Sequence, residues 1–559
     1  MSMLASKAIE FFSVPSNERT LFLSQVYGGD SEKRLFLYID ALKMFINVFG
    51  NQPVIITRSP GRVNLRGMHT DTHGGFLNLM TLNREVIVIA TPSNDGYLRI
   101  YNTNPIYQPL VISIRSFISA LEKGDFPSLN GKVKSEEYGV KSSNVVGTQW
   151  HKYILGSFLQ LYQELGSSEA NGINAVVSGD IPEGCSLSSS HALCIAILLA
   201  LEMANSIRID TATKIRMVQR AEWFAGARSG LSDQVAELLC KRNHLLGVQI
   251  DPLTAEILEE EHIPIPEEVS VVVANSNQRR DISSTHSAQY VKNRFAYSVA
   301  IDLLKRAMLN YGFEEKEMDS FRTFRDFSLE RIGGAQTLYE MFKELPYSLP
   351  IERIEPIIGT EKAKRLYETY FCHLPEESRP NEVNIRGAIV YGICENFRAH
   401  AFFEAMKNED LVLAGYLMNL GHNGDRIIDS LGYQYNRAVT DDILFVYRDL
   451  RIDPFTLPGD YGASTPVLDR MVDIANDAGA LGSSLTGAGL GGAIVALCLK
   501  ESVANVMSAL RNWLGSEEYM KLSQREKPLS NEEIENSVFE NTTSQASGIV
   551  EIPELMTLC

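Results

Sequence analysis

The sequence predicts a mixed α/β chain in two lobes, and three observations carry that expectation. At 559 residues with 45% hydrophobic content, the chain can bury more than one core, and chains of this size usually divide into domains. Strand-like runs separated by turns crowd residues 53–103. From about residue 277 to 480 helical periodicity dominates instead. The charged, proline-bearing "EEEHIPIPEE" marks a boundary between an N-terminal lobe, 1–265, and a C-terminal lobe, 266–515. Beyond it, residues 516–559 hold nine acidic and three basic residues among many Ser, Asn and Thr. That composition predicts a largely solvated tail whose end, "IVEIPELMTL", docks.

In chain order, "PVIITRSP", "RVNL", "EVIVIATP" and "YLRIYN" are β-rich, with the polar "RGMHTDTHGG" as a loop between the second and third. "WHKYILGSFLQLYQEL" and "KIRMVQRAEWFAG" repeat apolar residues at helical spacing. "NAVVSGDI" predicts a strand, "PEGCSLSSS" a loop and "HALCIAILLALEMANS" a helix, while "VSVVVANS" is a strand by its β-branched run. No internal repeat is present.

Composition also excludes. A net charge of −17 argues against a general nucleic-acid or anionic-membrane binder and leaves room for a local basic pocket that takes a phosphate. The expected partner is a small molecule. Seven scattered cysteines without a C-x-x-C pair suggest neither a zinc site nor a disulfide framework, which fits a reducing cytoplasm. The N-terminus lacks a basic region followed by an apolar core, and "LCIAILLAL" is too short to cross a bilayer.

Two loops carry the chemistry. In the first, Gly184 allows close backbone approach, and Ser188, Ser189 and Ser190 stand where a helix exposes free N–H groups with a partial positive charge. That arrangement receives phosphate, and serine hydroxyls also suit a magnesium ion; ordinary N-capping is the alternative. In the second, Gly487, Gly489 and Gly492 satisfy G-x-G-x-x-G, but a helical pattern precedes the loop and a β-like one follows. The dinucleotide fingerprint needs the reverse order. These glycines instead let a loop press against a flat neighbour or let two strands pack closely.

With "RSPGRVNLRGMHTDTHGG" and "SGLSDQVAELL" alongside those two loops, the chain resembles the GHMP small-molecule kinases, most closely their galactokinase branch. The four blocks are similar, in order, to G-R-V-N-L-I-G-E-H-T-D-Y-x-x-G, P-x-G-x-G-L-S-S-S-A-A, G-x-M-D-Q and T-G-A-G-x-G-G. The resemblance runs from about residue 50 to 500, with extra helical material between roughly 300 and 380. It implies a mixed-sheet N-terminal lobe, a C-terminal α/β lobe and an active site between them. The implied activity is transfer of the γ-phosphoryl group of ATP to a sugar, with Mg2+, giving a sugar 1-phosphate.

The resemblance also implies roles. Asp233 matches the catalytic base and Arg62 the residue that holds it ionised and stabilises the transferring group; a helix cap and a surface arginine are the plainer readings. Met68, His69, Asp71 and Gly230 fall at sugar positions, with a structural His–Asp pair as the alternative for His69 and Asp71. Gly184, Ser186, Ser188, Ser189, Ser190, Gly487 and Gly489 fall at the nucleotide, and Ser190 with Glu222 at the metal, although a solvated helix face also explains Glu222.

Departures matter as much. Met68 replaces a glutamate and Thr72 a tyrosine, so the pocket reads its sugar differently. Ser186 replaces a glycine and His191 the first alanine. L-arabinose, galacturonate, N-acetylgalactosamine and heptoses stay open beside galactose. So does a sugar-sensing regulator of the same fold, although the full-length serine loop and Asp233 favour an enzyme. Sugar-branch features in "GRVNLRGMHTD" and "SDQ" weigh against mevalonate or homoserine as the substrate.

Overall fold

The computed structural model describes residues 3–28, 31–122, 150–166, 170–227, 229–278, 285–372 and 374–552. Its strands are β1 (Met3–Leu4), β2 (Pro53–Arg66), β3 (Leu77–Ser93), β4 (Tyr97–Asn102), β5 (Leu110–Ser113), β6 (Gly172–Gly179), β7 (His244–Ile250), β8 (Ile257–Pro264), β9 (Val269–Asn275), β10 (Ser348–Pro350), β11 (Glu382–Asn384), β12 (Gly482–Thr486), β13 (Ala493–Leu499), β14 (Val538–Asn541) and β15 (Gly548–Ile549). A nine-stranded sheet takes β1 to β8 and β15, with path β1-β2-β3-β6-β4-β5. Its pairs are antiparallel except β4 with β6. The predicted "PVIITRSP" and "RVNL" form one strand, β2, whose register shifts between Pro60 and Arg62, so the break read at Gly61 is a bulge rather than a turn.

Alternation explains why these segments are strands. Ile87 and Ile89 of β3, with Val176 of β6, face a cluster built on the N-terminal helices through Phe12, Tyr38 and Phe45. Val86, Val88 and Ala90, with Ala175 and Val177, face the opposite layer, the period of two that a pleated strand imposes. That layer contains the helices Trp150–Glu164, Ser189–Ala204 and Thr211–Phe224. The middle helix buries Leu193, Ile195, Ile197, Leu198 and Leu201 among others. At about 1.5–3 kcal/mol for each large aliphatic side chain, it is a fixed platform for the serine loop at its start.

The second sheet, β12-β13-β9-β14, is wholly antiparallel. The chain passes from one sheet to the other between Pro264 and Val269. Val271 and Val273 of β9 join the main cluster under the first sheet, whereas Val272 and Ala274 face the helices Pro466–Asp477 and Lys500–Leu514. The sheets therefore share apolar packing. The extra helical region forms its own cluster around Phe295, Phe324, Tyr339, Phe342 and Phe371, which packs on the helix Arg386–Lys407.

The solvated-tail expectation is corrected. Residues 517–523 and 531–537 are helical, β14 adds an edge to the second sheet, and β15 pairs with β2 of the first. Asn541 at the end of β14, and Thr543 and Ser544 just after it, are buried. Their polar side chains bind strand backbone: Ser544 Oγ donates to Leu82 O (2.7 Å) and Asn541 Nδ2 to Thr81 O (3.0 Å). Polarity signalled hydrogen bonding across the two sheets, not solvation.

Candidate active site

The site grows from four pieces of chain that meet at the start of the helix Ser189–Ala204. Arg62 lies on β2 with its side chain 5% exposed, and its guanidinium pairs with Asp233 Oδ1. Arg62 Nη1 also donates to Ser186 O at 2.6 Å. A surface arginine would be solvated; this one spans the serine loop and the acid. Asp233 sits in the first turn of the helix Ser232–Leu239, whose cap position is Leu231, so Asp233 is not the cap residue.

That helix is started from elsewhere. Asp71 Oδ2 accepts from the N–H groups of Leu231 (2.7 Å) and Ser232 (3.2 Å), placing a carboxylate where free donors and the helix dipole favour one. A Cβ at Gly230 would lie 1.7 Å from Asp71 Oδ2, so only glycine admits the approach. The loop after β2 thus positions the element that bears Asp233.

His69 and Asp71 do not pair. The His69 ring, in a left-handed backbone conformation (φ 67°), stacks on Tyr461 at 4.2 Å, and its Nε2 lies 3.5 Å from Asp425 Oδ1. Tyr391 donates its hydroxyl hydrogen to Asp425 Oδ2 at 3.0 Å. Burial works against the Asp425 charge, yet His69 outweighs it, aided by His422 and the Ala463 N–H, and holds this carboxyl below its usual range. The buried His69–Asp425–Tyr391 group was not read from the sequence, since Asp425 stands 356 positions from His69 with no local pattern around it.

Met68 is 1% exposed and lies in the apolar cluster of the second sheet with Val272 and Leu468. Its sulfur is 3.8 Å from Arg66 Nη2. Glu395 forms an ion pair with Arg66, Oε1 to Nε 3.1 Å, accepts from Gly67 N (2.8 Å) and also pairs with Arg398. This buried set ties the start of the loop after β2 to the helix Arg386–Lys407. Thr72 Oγ1 contacts His73 Nδ1 at 2.9 Å.

At the serine loop, Gly184, Ser186 and Ser188 all take positive φ, at 68°, 58° and 71°. Ser188 is the residue at the cap position, yet its side chain makes no capping hydrogen bond, so the ordinary capping reading fails for it. Ser189 and Ser190 open the helix and stay partly exposed. The glycine loop between β12 and β13 backs onto this turn. A Cβ at Gly487 would meet Ser186 O at 2.8 Å, one at Gly492 would meet Ser186 Oγ at 2.6 Å, and one at Gly489 would meet Ala463 O at 2.2 Å. The strand–loop–strand setting agrees with rejection of the dinucleotide fingerprint.

Glu222 is 1% exposed, which removes the solvated-face reading. Its Oε1 lies 3.6 Å from His191 Nδ1, and the same nitrogen is 3.3 Å from Asp233 Oδ2. One turn beyond Asp233, Glu237 is fully buried; burial first, and then the Asp233 and Glu222 charges, push its carboxyl well above the usual range despite help from Ser188 and Arg62. Nothing in the sequence drew attention to Glu237, because its neighbours come from other elements.

Residues 43–92 match the galactokinase galactose-binding signature, 152–241 the GHMP kinases N terminal domain and 446–515 the GHMP kinases C terminal domain. The chain belongs to the GHMP kinase superfamily and carries that galactokinase signature. Within the superfamily it is a galactokinase-type sugar kinase, an ATP-dependent sugar 1-kinase. It is 26% identical to a galactokinase of Chloroflexus aurantiacus over 83% of this chain and 89% of that one. Against a galactokinase of Schizosaccharomyces pombe it is 24% identical, over 88% and 92%. The structure of Lactococcus lactis galactokinase, complexed with galactose, is similar in fold with a TM-score of 0.57 at 18% identity, covering 91% of this chain and 98% of that one.

Proposed function

We propose that this kinase phosphorylates the anomeric hydroxyl of a galactose-like monosaccharide, with Asp233 as the group that takes or orients the hydroxyl proton. The observation that carries the reading is the buried Arg62–Asp233 pair beside the serine loop. Phosphoryl transfer asks the protein mainly for alignment and charge stabilisation. As the sugar oxygen forms its bond to phosphorus and the bond to the ADP oxygen breaks, the hydroxyl proton passes to Asp233. Arg62 keeps that carboxylate ionised beforehand and lies where it also stabilises charge on the transferring group. The first-turn N–H groups and hydroxyls at Ser188, Ser189 and Ser190 receive the nucleotide phosphates; Gly487 and Gly492 let the second loop support that turn from behind, while Gly489 admits the close approach of Ala463.

For Mg2+, the carboxylate of Glu222 and the hydroxyl of Ser190 are hard oxygen donors of the type the ion takes. Among the described residues no group of three His, Cys, Asp or Glu side chains forms a metal site; Glu222 and Ser190 would supply part of the ion's coordination beside the ATP phosphates. When bound, the ion neutralises phosphate charge. The sugar lies against His69 and Asp71, with Met68 and Gly230 at its margins, and free thiols at the described cysteines suit a reducing cytoplasm. No helix among the described residues is long and apolar enough to cross a membrane.

A panel of galactose, L-arabinose, galacturonate, N-acetylgalactosamine and a heptose, each with Mg2+ and ATP, tests this. The expected result is ADP release with at least one of them and phosphate at the anomeric position. Sugar and ATP binding without turnover would overturn the reading in favour of a sensor.

A further inference from the structure

We infer that His191 is a positioning residue for phosphoryl transfer, its Nδ1 holding one oxygen of the Asp233 carboxylate while Arg62 holds the other. The inference rests on Asp233 being the group that receives the sugar's proton.

His191 is the third residue of the helix Ser189–Ala204, at a position where the related motif has alanine. Its side chain is 5% exposed. Glu222 of the helix Thr211–Phe224 and Asp233 of the helix Ser232–Leu239 face it; Arg62 of β2 pairs with that Asp233, and the buried Glu237 feels the charges of Asp233, Arg62 and Glu222. Nδ1 is 3.3 Å from Asp233 Oδ2 and 3.6 Å from Glu222 Oε1. Both neighbours are acceptors, so the tautomer with hydrogen on Nδ1 fits the site; a bare lone pair there would face two carboxylates. Neither ring nitrogen completes a hydrogen bond among the described residues, so the Nδ1 contact with Asp233 Oδ2 is a close approach at 3.3 Å. A buried imidazole with an unmet nitrogen is costly, and alanine would avoid that cost, so volume alone does not account for histidine here.

The geometry assigns the reason to Asp233. With Arg62 on Oδ1 and His191 beside Oδ2, the carboxylate cannot turn about its Cβ–Cγ bond without losing a partner. Fixing the reacting group beforehand lowers the ordering cost at the moment of reaction, which acts on kcat more than on sugar binding.

Three substitutions separate positioning from packing. Asparagine places its amide nitrogen close to the position of Nδ1, glutamine places it one bond further out, and alanine restores the family's residue. With galactose and L-arabinose as substrates, His191→Ala is expected to lower kcat about tenfold or more, with KM for sugar within about threefold. His191→Asn should recover most of the rate and His191→Gln little of it. An unimpaired His191→Ala, or equal recovery by Asn and Gln, would reduce His191 to a packing residue. Asp233→Asn, assayed in parallel, should be nearly inactive; normal turnover there would remove the Asp233 assignment and this inference together. A nearly inactive Asp233→Asn beside a normal His191→Ala removes only the inference. A readout independent of turnover is 15N NMR of histidine-labelled protein, which should place the hydrogen on Nδ1; a bare Nδ1 would overturn the inference.

Discussion

Asp71 and Met68 show how a residue's surroundings change what its identity suggests. Asp71 was read from the loop as a sugar ligand, yet its Oδ2 starts the helix that bears Asp233. Asp71→Ala is therefore expected to leave two helix N–H groups without their acceptor, costing about 1–2 kcal/mol of stability and lowering kcat as well as sugar affinity. Urea unfolding together with initial rates checks this, and a change in KM alone would restrict Asp71 to sugar binding. Met68 replaces an acceptor with a thioether inside an apolar cluster. Met68→Glu puts a carboxylate near Arg66, already bound to Glu395, so stability should fall. The ratio of kcat/KM for galactose over L-arabinose cancels the folded fraction. It is expected to rise by about 1–3 kcal/mol if one buried hydrogen bond to the sugar is restored, and an unchanged ratio would place Met68 outside the pocket.

At the scale of elements, the strands and helices around the site were legible for different reasons: β3 and β6 are β-branched apolar runs buried on both faces, whereas Trp150–Glu164 and Pro466–Asp477 repeat apolar residues at helical spacing. The serine and glycine loops were legible as loops, but their mutual contact was not, since Ser186 and Gly492 are 306 positions apart. The final segment was misread for a physical reason: Asn541, Thr543 and Ser544 resemble a solvated tail when each is considered alone, but here they serve strand edges. Ser544 Oγ also accepts from Arg58 Nη2 (3.2 Å) while donating to Leu82 O. Ser544→Ala should cost about 1–3 kcal/mol, the penalty for leaving buried polar groups unmet, read as a shift in the urea midpoint without a change in slope. Wild-type stability in that variant would mean that water replaces the hydroxyl.

Across the whole molecule, two sheets share one apolar cluster while the site lies where the serine loop, the loop after β2 and the glycine loop converge. The fold also carries a pH dependence. Burial, with Arg294 adding to it, lowers His73 to about 3; burial and Arg325 lower His400 to about 4. Between about pH 6.5 and those values the unfolded chain binds more protons than the folded one, so stability falls as pH drops through that window. Thermal unfolding from pH 7.5 to 4.5 should show the fall, and His400→Gln should flatten it; an equal slope in that variant would remove His400 from the account. The central claim is that Asp233, held by Arg62 beside the serine loop, carries the transfer of phosphate to a sugar. Single-turnover rates of wild type and Asp233→Asn, at saturating ATP and at the sugar the panel selects, test it most directly. The account predicts a fall of at least about a hundredfold for the variant, with ATP and sugar affinities preserved and the fold intact, whereas a rate within a few-fold of wild type would contradict it.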